Sequence, residues 1–377
     1  MPNGGERAYA YAKACGIIGK SFVGKRITAL GEVNRLSDLD RIVFPAGGQD
    51  LPERELLGSL EDRLVKRAVK SIISILECFS KPPELLTLLL RSYEIGDLKN
   101  ALSASLAGMT EAPVFTDLGP FSHVHFDAWP DIPRMIGDTE FRFLLDKNEV
   151  LYRELGGVSL QTVLDRYYYK SLWNSLSELR REDRMTAETI LQDEIALRNA
   201  GWALRLRTYY WMSPEEVRLH LIYLPGAGVS PDGEDPPPEE EGHGKKGKAN
   251  KGKVSKAKLM FHHRTKNSSL AADALGSLDL PLDDRTAWQS WRWARFLNPE
   301  APGESWHVDP RFFQNAASGY LYRLAQHSFR LHPFSVDTIF CFIKLKLFEE
   351  DLLTSDAEGL GLGMSGQAVF DLLEVRP

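Results

Sequence analysis

The chain has 377 residues, a formal net charge of −6 and 43% hydrophobic residues, which suffices for two or three units of ordinary domain size. The mild acidity argues against nucleic acid as the main partner, because a phosphate backbone is bound by a basic surface. Cys15, Cys78 and Cys341 are far apart and show neither metal-site nor redox spacing. No apolar run approaches the ~18 residues needed to cross a bilayer, so we expect no direct membrane span.

Apolar residues at helical spacing predict a long helix in the first third of the chain, with one buried face. The face consists of Leu57, Leu60, Leu64, Ala68, Ile72, Ile75 and Phe79. Pro82 and Pro83 should end this helix and begin the next one, which is predicted to run without interruption over residues 85–102. Further upstream, Ser37 with Asp38 predicts the start of a shorter helix.

The second half of the chain also has helical periodicity. A stripe of this kind comprises Leu164, Tyr168, Leu172, Leu176 and Leu179. Ser213, Pro214 and Glu216 predict a helix start closed by a capping box. A helix over residues 316–328 should end before Pro333, and another should begin at Ser335. Alternating strand patterns are scarce, so the predicted fold class is all-α.

A charged segment interrupts these patterns. Residues 231–241 (PDGEDPPPEEE) are acidic and rich in proline, and residues 242–258 are rich in glycine and carry seven lysines. Such a composition buries too little apolar surface to offset the entropy of ordering, which predicts a disordered insertion. It is either a solvated loop or, through its lysines, a contact for anionic lipid or nucleic acid.

Three segments share an internal pattern in which an acidic helix start is followed by an apolar helix and a methionine. They are residues 94–109, 193–212 and 349–364. When Asp97, Asn199 and Leu352 are superposed, a methionine follows each at nearly the same distance. The pattern indicates three related helical units, which is the usual meaning of such self-similarity.

These segments resemble parts of a known family, that of the C subunits of V/A-type (vacuolar/archaeal-type) ATPases, which are called d in eukaryotic enzymes. The resemblance is carried by residues 94–99 (EIGDLK), by Glu194-Ile195 with Asn199 and Leu204-Arg205, and by Met212-Ser213-Pro214-Glu215-Glu216. The regions around Tyr9, Leu164 and Tyr320 add weaker similarity. The order of the motifs matches the family from about Tyr9 to the end of the chain, outside the charged insertion.

The resemblance implies an all-α protein in which three similar helical lobes form a funnel with pseudo-threefold arrangement. We therefore expect a first lobe at 1–112, a second at 113–226, the insertion at 227–262 and a third lobe at 263–377. The implied function is that of a non-catalytic connector without cofactor or metal. It would join the central-shaft subunits of the catalytic head to the membrane rotor ring, and possibly touch the stator membrane subunit, on the cytoplasmic face of the membrane.

Partner-binding candidates follow from the repeat segments. They are Asp97, Lys99, Arg198, Asn199, Arg205 and Arg207. The alternative is that these residues cap helices and solvate the surface. An alternative function is a soluble helical-repeat adaptor that binds an acidic partner through the lysine-rich insertion.

Several patterns resemble catalytic or binding sites only superficially. Residues 16–21 (GIIGKS) lack the first glycine of a phosphate-binding loop and follow a helical pattern instead of a strand. His123 and His125 have no further ligand at metal-site spacing. Acidic residues at the helix starts, such as Glu349, complement the helix dipole. Trp288, Trp291 and Trp293 with Phe296 indicate core packing or, alternatively, a protein interface.

Overall fold

A computed structural model of the protein describes residues 2–146, 156–224 and 269–372, and within these ranges it contains helices and no β-strand. The all-α class predicted from the sequence is therefore confirmed. No helix in the described ranges is long and apolar enough to cross a bilayer. The α-helices are α1 Gly4–Ile18, α2 Leu36–Val43, α3 Glu53–Leu76, α4 Glu84–Leu90, α5 Ser92–Leu106, α6 Ile132–Ile136, α7 Phe143–Asp146, α8 Gly156–Ser175, α9 Arg181–Tyr210, α10 Pro214–Arg218, α11 Ala272–Ser277, α12 Pro310–Ser328, α13 Val336–Gly361 and α14 Gly366–Leu372. The 3₁₀ helices are Gly24–Glu32, Gly119–Phe121, Phe126–Ala128, Glu140–Arg142, Leu176–Glu178, Arg285–Trp288 and Ala294–Phe296.

The chain divides into two compact units. The larger comprises residues 1–190 and 314–377, and the smaller comprises residues 191–313. The divisions fall within α9 and α12, so both of these helices contribute residues to each unit.

The core of the larger unit is built on α3 and α13, which pack against each other. Most of the predicted apolar face of α3 is confirmed, since Leu60, Ile72 and Ile75 have no exposed surface. Leu57 is only half-buried, and Phe79 is buried but follows the end of the helix at Leu76. The facing helix α13 buries Phe340 and Phe342 completely. With 26 residues, α13 is roughly 40 Å long at a rise of ~1.5 Å per residue, so this unit has a long and continuous helical support.

The predicted uninterrupted helix over residues 85–102 is wrong, because the chain forms α4 and α5 with a break at Arg91. Arg91 has ψ near 0°, and its buried side chain donates to Glu94 and to Glu140. The break allows this buried guanidinium to reach both carboxylates. Because Glu140 is distant in sequence, the apolar periodicity of residues 85–102 could not predict the break.

Helix starts that depend on local side chains agree better with prediction. Ser213 and Glu216 form the predicted capping box at α10, and Ser335 caps α13 by accepting from the Thr338 N–H. The short helix predicted to start at Ser37 is also present, but α2 starts one residue earlier, at Leu36, and has no side-chain cap. Asp40 of α2 is instead buried and accepts hydrogen bonds from Arg63 and from the Gln49 N–H.

The smaller unit has its own apolar core between α9, α10 and α11. Ala203 of α9, Val217 of α10 and Ala274 of α11 belong to one buried cluster. Trp288 and Trp293 are also buried, and their indole N–H groups donate to Pro281 O and to the Asp273 carboxylate. The tryptophan cluster is therefore core packing, which was one of its two predicted roles.

We expect the change Ile72→Ala to lower the free energy of unfolding by about 2–5 kcal/mol, because it removes a fully buried side chain of α3 and leaves a cavity. Lys70→Ala, at an exposed position of the same helix, should change it by less than about 0.5 kcal/mol. Urea denaturation followed by circular dichroism measures both. Equal effects of the two changes would contradict the assignment of the core.

Candidate interaction surface on the repeat segments

In the first repeat segment, two acidic side chains of α5 hold the chain that follows the helix. The Glu94 carboxylate has no exposed surface and accepts the N–H groups of His123 and Val124. Asp97 accepts the Thr116 N–H at 2.6 Å. Burial raises the pKa of the Asp97 carboxyl, and the hydrogen bond from Thr116 opposes that rise. These carboxylates replace the water that would otherwise solvate the backbone of residues 116–124.

Lys99, two residues further along α5, has a different role. Its ammonium lies 2.7 Å from the Asp165 carboxylate of α8, and both side chains are largely buried. The ion pair therefore links two helices of the larger unit. Of the candidates predicted for partner binding, Asp97 and Lys99 thus have contacts within the fold.

In the second repeat segment, Asn199 of α9 is fully buried within the smaller unit. Its amide donates to the carbonyls of Ile222 and Leu270 and accepts the Ile222 N–H at 2.7 Å. Arg207, two turns later, donates to the carbonyls of Ser277 and Leu280. Both side chains satisfy backbone groups outside α9, so they too have contacts within the fold.

In the third repeat segment, Glu349 of α13 is the centre of a buried charged group. Its carboxylate accepts from Lys346 on the same helix, from Arg67 of α3 and from the Phe22 N–H at 2.7 Å. Burial opposes ionisation, but the two cations outweigh it and hold the pKa of Glu349 below its usual value. Leu352, at the position superposed on Asp97 and Asn199, is buried and apolar. The side chain that accepts a backbone N–H in this segment is Glu349, which lies one helical turn before Leu352, at the position superposed on Glu94.

The three repeat segments also end alike. Gly108, Trp211 and Gly363 have positive φ values of 70°, 50° and 81°, and a methionine follows each. Met109 and Met364 donate their N–H groups to carbonyls five residues back, whereas Met212 donates to a carbonyl six residues back. This left-handed ending satisfies the last carbonyls of a helix and normally uses glycine. The methionines aligned in the sequence therefore mark equivalent backbone positions.

The remaining two candidates, Arg198 and Arg205, are exposed on α9 within the smaller unit. With Trp202 and Tyr209 they recur at steps of four, three and four residues, which places all four on one helix face. The Arg198 guanidinium lies over the Trp202 ring, 5.8 Å from its centroid. We call this set, Arg198, Trp202, Arg205 and Tyr209, the arginine–aromatic stripe. The buried residues Ala200 and Leu204 lie on the opposite face of the helix.

Sequence reasoning found the two arginines of the stripe but missed its aromatic members. Trp211, which follows the stripe, was also missed and is 85% exposed. A signal was present, because residues 195–214 contain three arginines and no carboxylate in a chain of net charge −6. Helical spacing of arginine and aromatic residues in that range would have identified the surface.

The superficial motif matches do not form sites. Residues 16–18 of the loop-like motif belong to α1, and the Ser21 hydroxyl donates to the Ile17 carbonyl and accepts from buried Lys346. His123 and His125 each face one carboxylate, Glu140 and Asp138. In the described part of the chain no three His, Cys, Asp or Glu side chains are grouped so that they could hold a metal ion.

Two further acidic residues of α13, the buried Asp356 and the half-buried Glu350, have raised pKa values. Desolvation raises the pKa of Asp356 to about 7, and among the described residues no hydrogen-bond partner reaches its Oδ2 atom. Desolvation and the neighbouring Asp351 charge raise the pKa of Glu350 to about 7. Glu350 is packed beside Tyr93, whose hydroxyl lies 3.4 Å away. Because Asp356 is buried, we expect its carboxyl to influence stability.

Comparison with known proteins shows that about half of the chain is similar to one family. Residues 48–233, which include the first two repeat segments, match the family model described as ATP synthase (C/AC39) subunit. The resemblance recognised in the sequence is thereby confirmed for these residues. A protein of Treponema pallidum (strain Nichols), described as an uncharacterized protein, is 27% identical over 355 residues, covering 94% of this chain and 92% of its own length. At this coverage the similarity extends beyond residue 233, where the family match ends.

We expect Asn199→Ala to lower the free energy of unfolding by about 2–4 kcal/mol, since it leaves the buried backbone groups of Ile222 and Leu270 without partners. Amide hydrogen exchange should also accelerate at Ile222, which donates to the lost side chain. Arg205→Ala, six residues away at an exposed position, is the control and should alter neither quantity. Unchanged exchange at Ile222 in Asn199→Ala would contradict the anchoring role.

We expect Asp356→Asn to gain stability relative to the wild type as the pH rises from 5 to 8, by up to about 3 kcal/mol. The folded-state pKa of Asp356 is raised, so its contribution is favourable below the unfolded-state pKa and is lost as the pH rises towards 7. The amide cannot ionise and escapes this loss. Urea denaturation at the two pH values measures it, with the exposed Glu77→Gln as control. A difference between variant and wild type that does not change with pH would contradict the burial of an unpaired carboxylate.

Proposed function

We propose that this chain, of which residues 48–233 match the family model described as ATP synthase (C/AC39) subunit, is a non-catalytic connector subunit of a V/A-type rotary ATPase. In this role it couples the central shaft of the catalytic head to the membrane rotor ring during proton or sodium transport. The family match is the observation that carries the proposal.

The proposed architecture is a funnel of three similar helical lobes with pseudo-threefold arrangement, at residues 1–112, 113–226 and 263–377. Support comes from the three repeat segments, which share a left-handed residue and a methionine at their ends. The third segment lies outside the matched residues, but the relative from Treponema pallidum aligns over 94% of this chain. The insertion at 227–262 and its predicted disorder lie outside the described residues.

A connector that transmits torque needs stiff elements and few internal degrees of freedom. The chain provides α9 with 30 residues and α13 with 26 residues, which correspond to roughly 45 and 40 Å of continuous helix. Buried polar anchors at Glu94, Asn199 and Glu349 fix non-helical segments to such helices. These features favour a rigid socket over a hinge-rich adaptor, because packed and satisfied cores resist deformation.

The proposed partners are the central-shaft subunits, the rotor ring subunits and possibly the stator membrane subunit, on the cytoplasmic face of the membrane. The proposal includes neither nucleic acid nor a cofactor. A peripheral position agrees with the absence of a membrane-spanning helix from the described ranges.

We expect the tagged chain, purified from detergent-solubilised membranes, to bring down head, shaft and ring subunits in fixed proportion. Mass spectrometry identifies the subunits and gel densitometry measures their ratios. A preparation in which the ATPase is intact but the tagged chain is recovered without it would overturn the proposal.

Deletion of residues 231–258 separates the connector from the adaptor. These residues lie outside the described ranges and carry both charged runs. A connector should keep its association with the ATPase subunits after the deletion, because the insertion lies between the second and third repeat segments and belongs to neither. An adaptor that binds an acidic partner through the lysine run should lose its partner instead, and that result would favour the adaptor.

A further inference from the structure

The short helix α14 is held within the larger unit by a small number of close contacts. It packs on α13 and on the 3₁₀ helix Gly24–Glu32. The Gly366 N–H donates to the Val33 carbonyl at 2.9 Å. Val369 is buried and lies so close to Gly359 of α13 that a Cβ atom at Gly359 would be 2.4 Å from it. Because a short helix of this kind buries little apolar surface, we expect α14 to open more easily than the core helices.

The Asp356 carboxyl is buried in the part of α13 that α14 contacts. Asp356 precedes Gly359 by three residues, and side chains at this spacing are neighbours on one helix face. Leu353, three residues before Asp356, lines a small cavity together with Leu64 of α3. Asp356 therefore lies between the contact of α13 with α3 and its contact with α14. It is 2% exposed, and among the described residues no hydrogen-bond partner reaches its Oδ2 atom.

The charged side chains around this end of α13 do not compensate an ionised Asp356. Desolvation raises the pKa of Asp356 to about 7, and no neighbouring charge opposes this rise. Within the described ranges, none of the charged residues on the surrounding elements forms an ion pair with Asp356. They are Lys25, Arg26 and Glu32 on the 3₁₀ helix, Asp38, Asp40 and Arg41 on α2, Glu61, Arg63 and Arg67 on α3, Glu358 on α13 and Asp371 on α14. Arg63 and Arg67 pair instead with Asp40 and Glu349.

From this geometry we infer that α14 is a pH-sensitive latch, whose closure over α13 is coupled to the protonation of Asp356. In the closed form the carboxyl is shielded from solvent and has no donor at Oδ2, an environment that favours the neutral acid. In the open form water solvates the carboxyl, which then ionises with its ordinary pKa of 3.8. Closing therefore takes up one proton, and acid favours the closed latch.

The latch goes beyond the proposed function and does not depend on it. In the closed form, α14 covers the chain around Val33 and the end of α13 around Gly359. Opening uncovers both segments. The latch thus makes the exposure of this surface depend on pH between about 4 and 7, the interval that separates the pKa values of the open and closed forms.

The experiment is amide hydrogen exchange of the full-length protein, read by mass spectrometry of the peptide that covers residues 366–372. The opening equilibrium constant should rise about 10-fold per pH unit between pH 4 and 7 and then level off. We therefore expect the protection factor of α14 in the wild type to fall by roughly 100-fold between pH 5 and pH 8. Protection factors are calculated against the exchange of an unstructured peptide at the same pH, which removes the direct effect of pH on the chemistry.

Two variants identify the titrating group. Asp356→Asn cannot ionise, so its protection factor at α14 should be the same at pH 5 and pH 8. Glu61→Gln is the control, because Glu61 is a half-buried carboxyl of α3 whose pKa is also raised, by burial and by the charge of Glu358. This variant should keep the pH dependence of the wild type. Core peptides of α3 between residues 64 and 76 should stay protected at both pH values, since the latch opens without unfolding the larger unit.

Four outcomes would overturn the inference. They are a protection factor of α14 that is constant with pH in the wild type, an undiminished pH dependence in Asp356→Asn, a loss of the dependence in Glu61→Gln, and an equal fall of protection in α3 and α14. The first and the last are measured on the wild type alone. The test therefore gives an answer even if Asp356→Asn does not fold.

Discussion

The fold depends on buried polar side chains of long helices that satisfy the backbone of segments without regular structure. Glu94 holds residues 123 and 124, Asn199 holds Ile222 and Leu270, and Glu349 holds Phe22. All of these residues except the exposed His123 are buried. An unsatisfied buried backbone group costs roughly 1–3 kcal/mol. A protein made of helices and long connections needs such anchors, because helices satisfy only their own backbone.

These anchors explain why the repeat is visible in the structure although the sequence similarity among the three segments is weak. The buried backbone N–H groups need a hydrogen-bond acceptor on the inner face of the helix, and Glu, Asp or Asn can each provide it. In the third segment the acceptor lies one turn earlier, at Glu349, so Leu352 can be apolar without loss of the anchor. The left-handed residue before each methionine recurs in all three segments, so the aligned methionines mark equivalent helix ends.

Much of the fold could be predicted from local signals. The apolar face of α3 and the caps at Ser213 and Ser335 follow from spacing and side-chain chemistry within a few residues. The break at Arg91 could not, because it depends on a buried pairing with Glu140, 49 residues away. For the candidate surface, the sequence shows the charge of Arg198 and Arg205. The buried position of Asn199 could not be predicted, because it depends on hydrogen bonds to the distant residues Ile222 and Leu270. On α9, Arg198 and Arg205 are exposed whereas Asn199 is buried, although all three are polar residues of the same repeat segment.

The central claim is that this chain couples the catalytic head of a rotary ATPase to its membrane ring. The most direct test measures ATP-driven membrane potential, with a voltage-sensitive dye, in membrane vesicles from cells depleted of the chain. The use of potential avoids a choice between proton and sodium. The account predicts that depleted vesicles generate no ATP-driven potential and that added purified chain restores it. A full potential in vesicles that lack the chain, with head and ring subunits present in normal amounts, would contradict it.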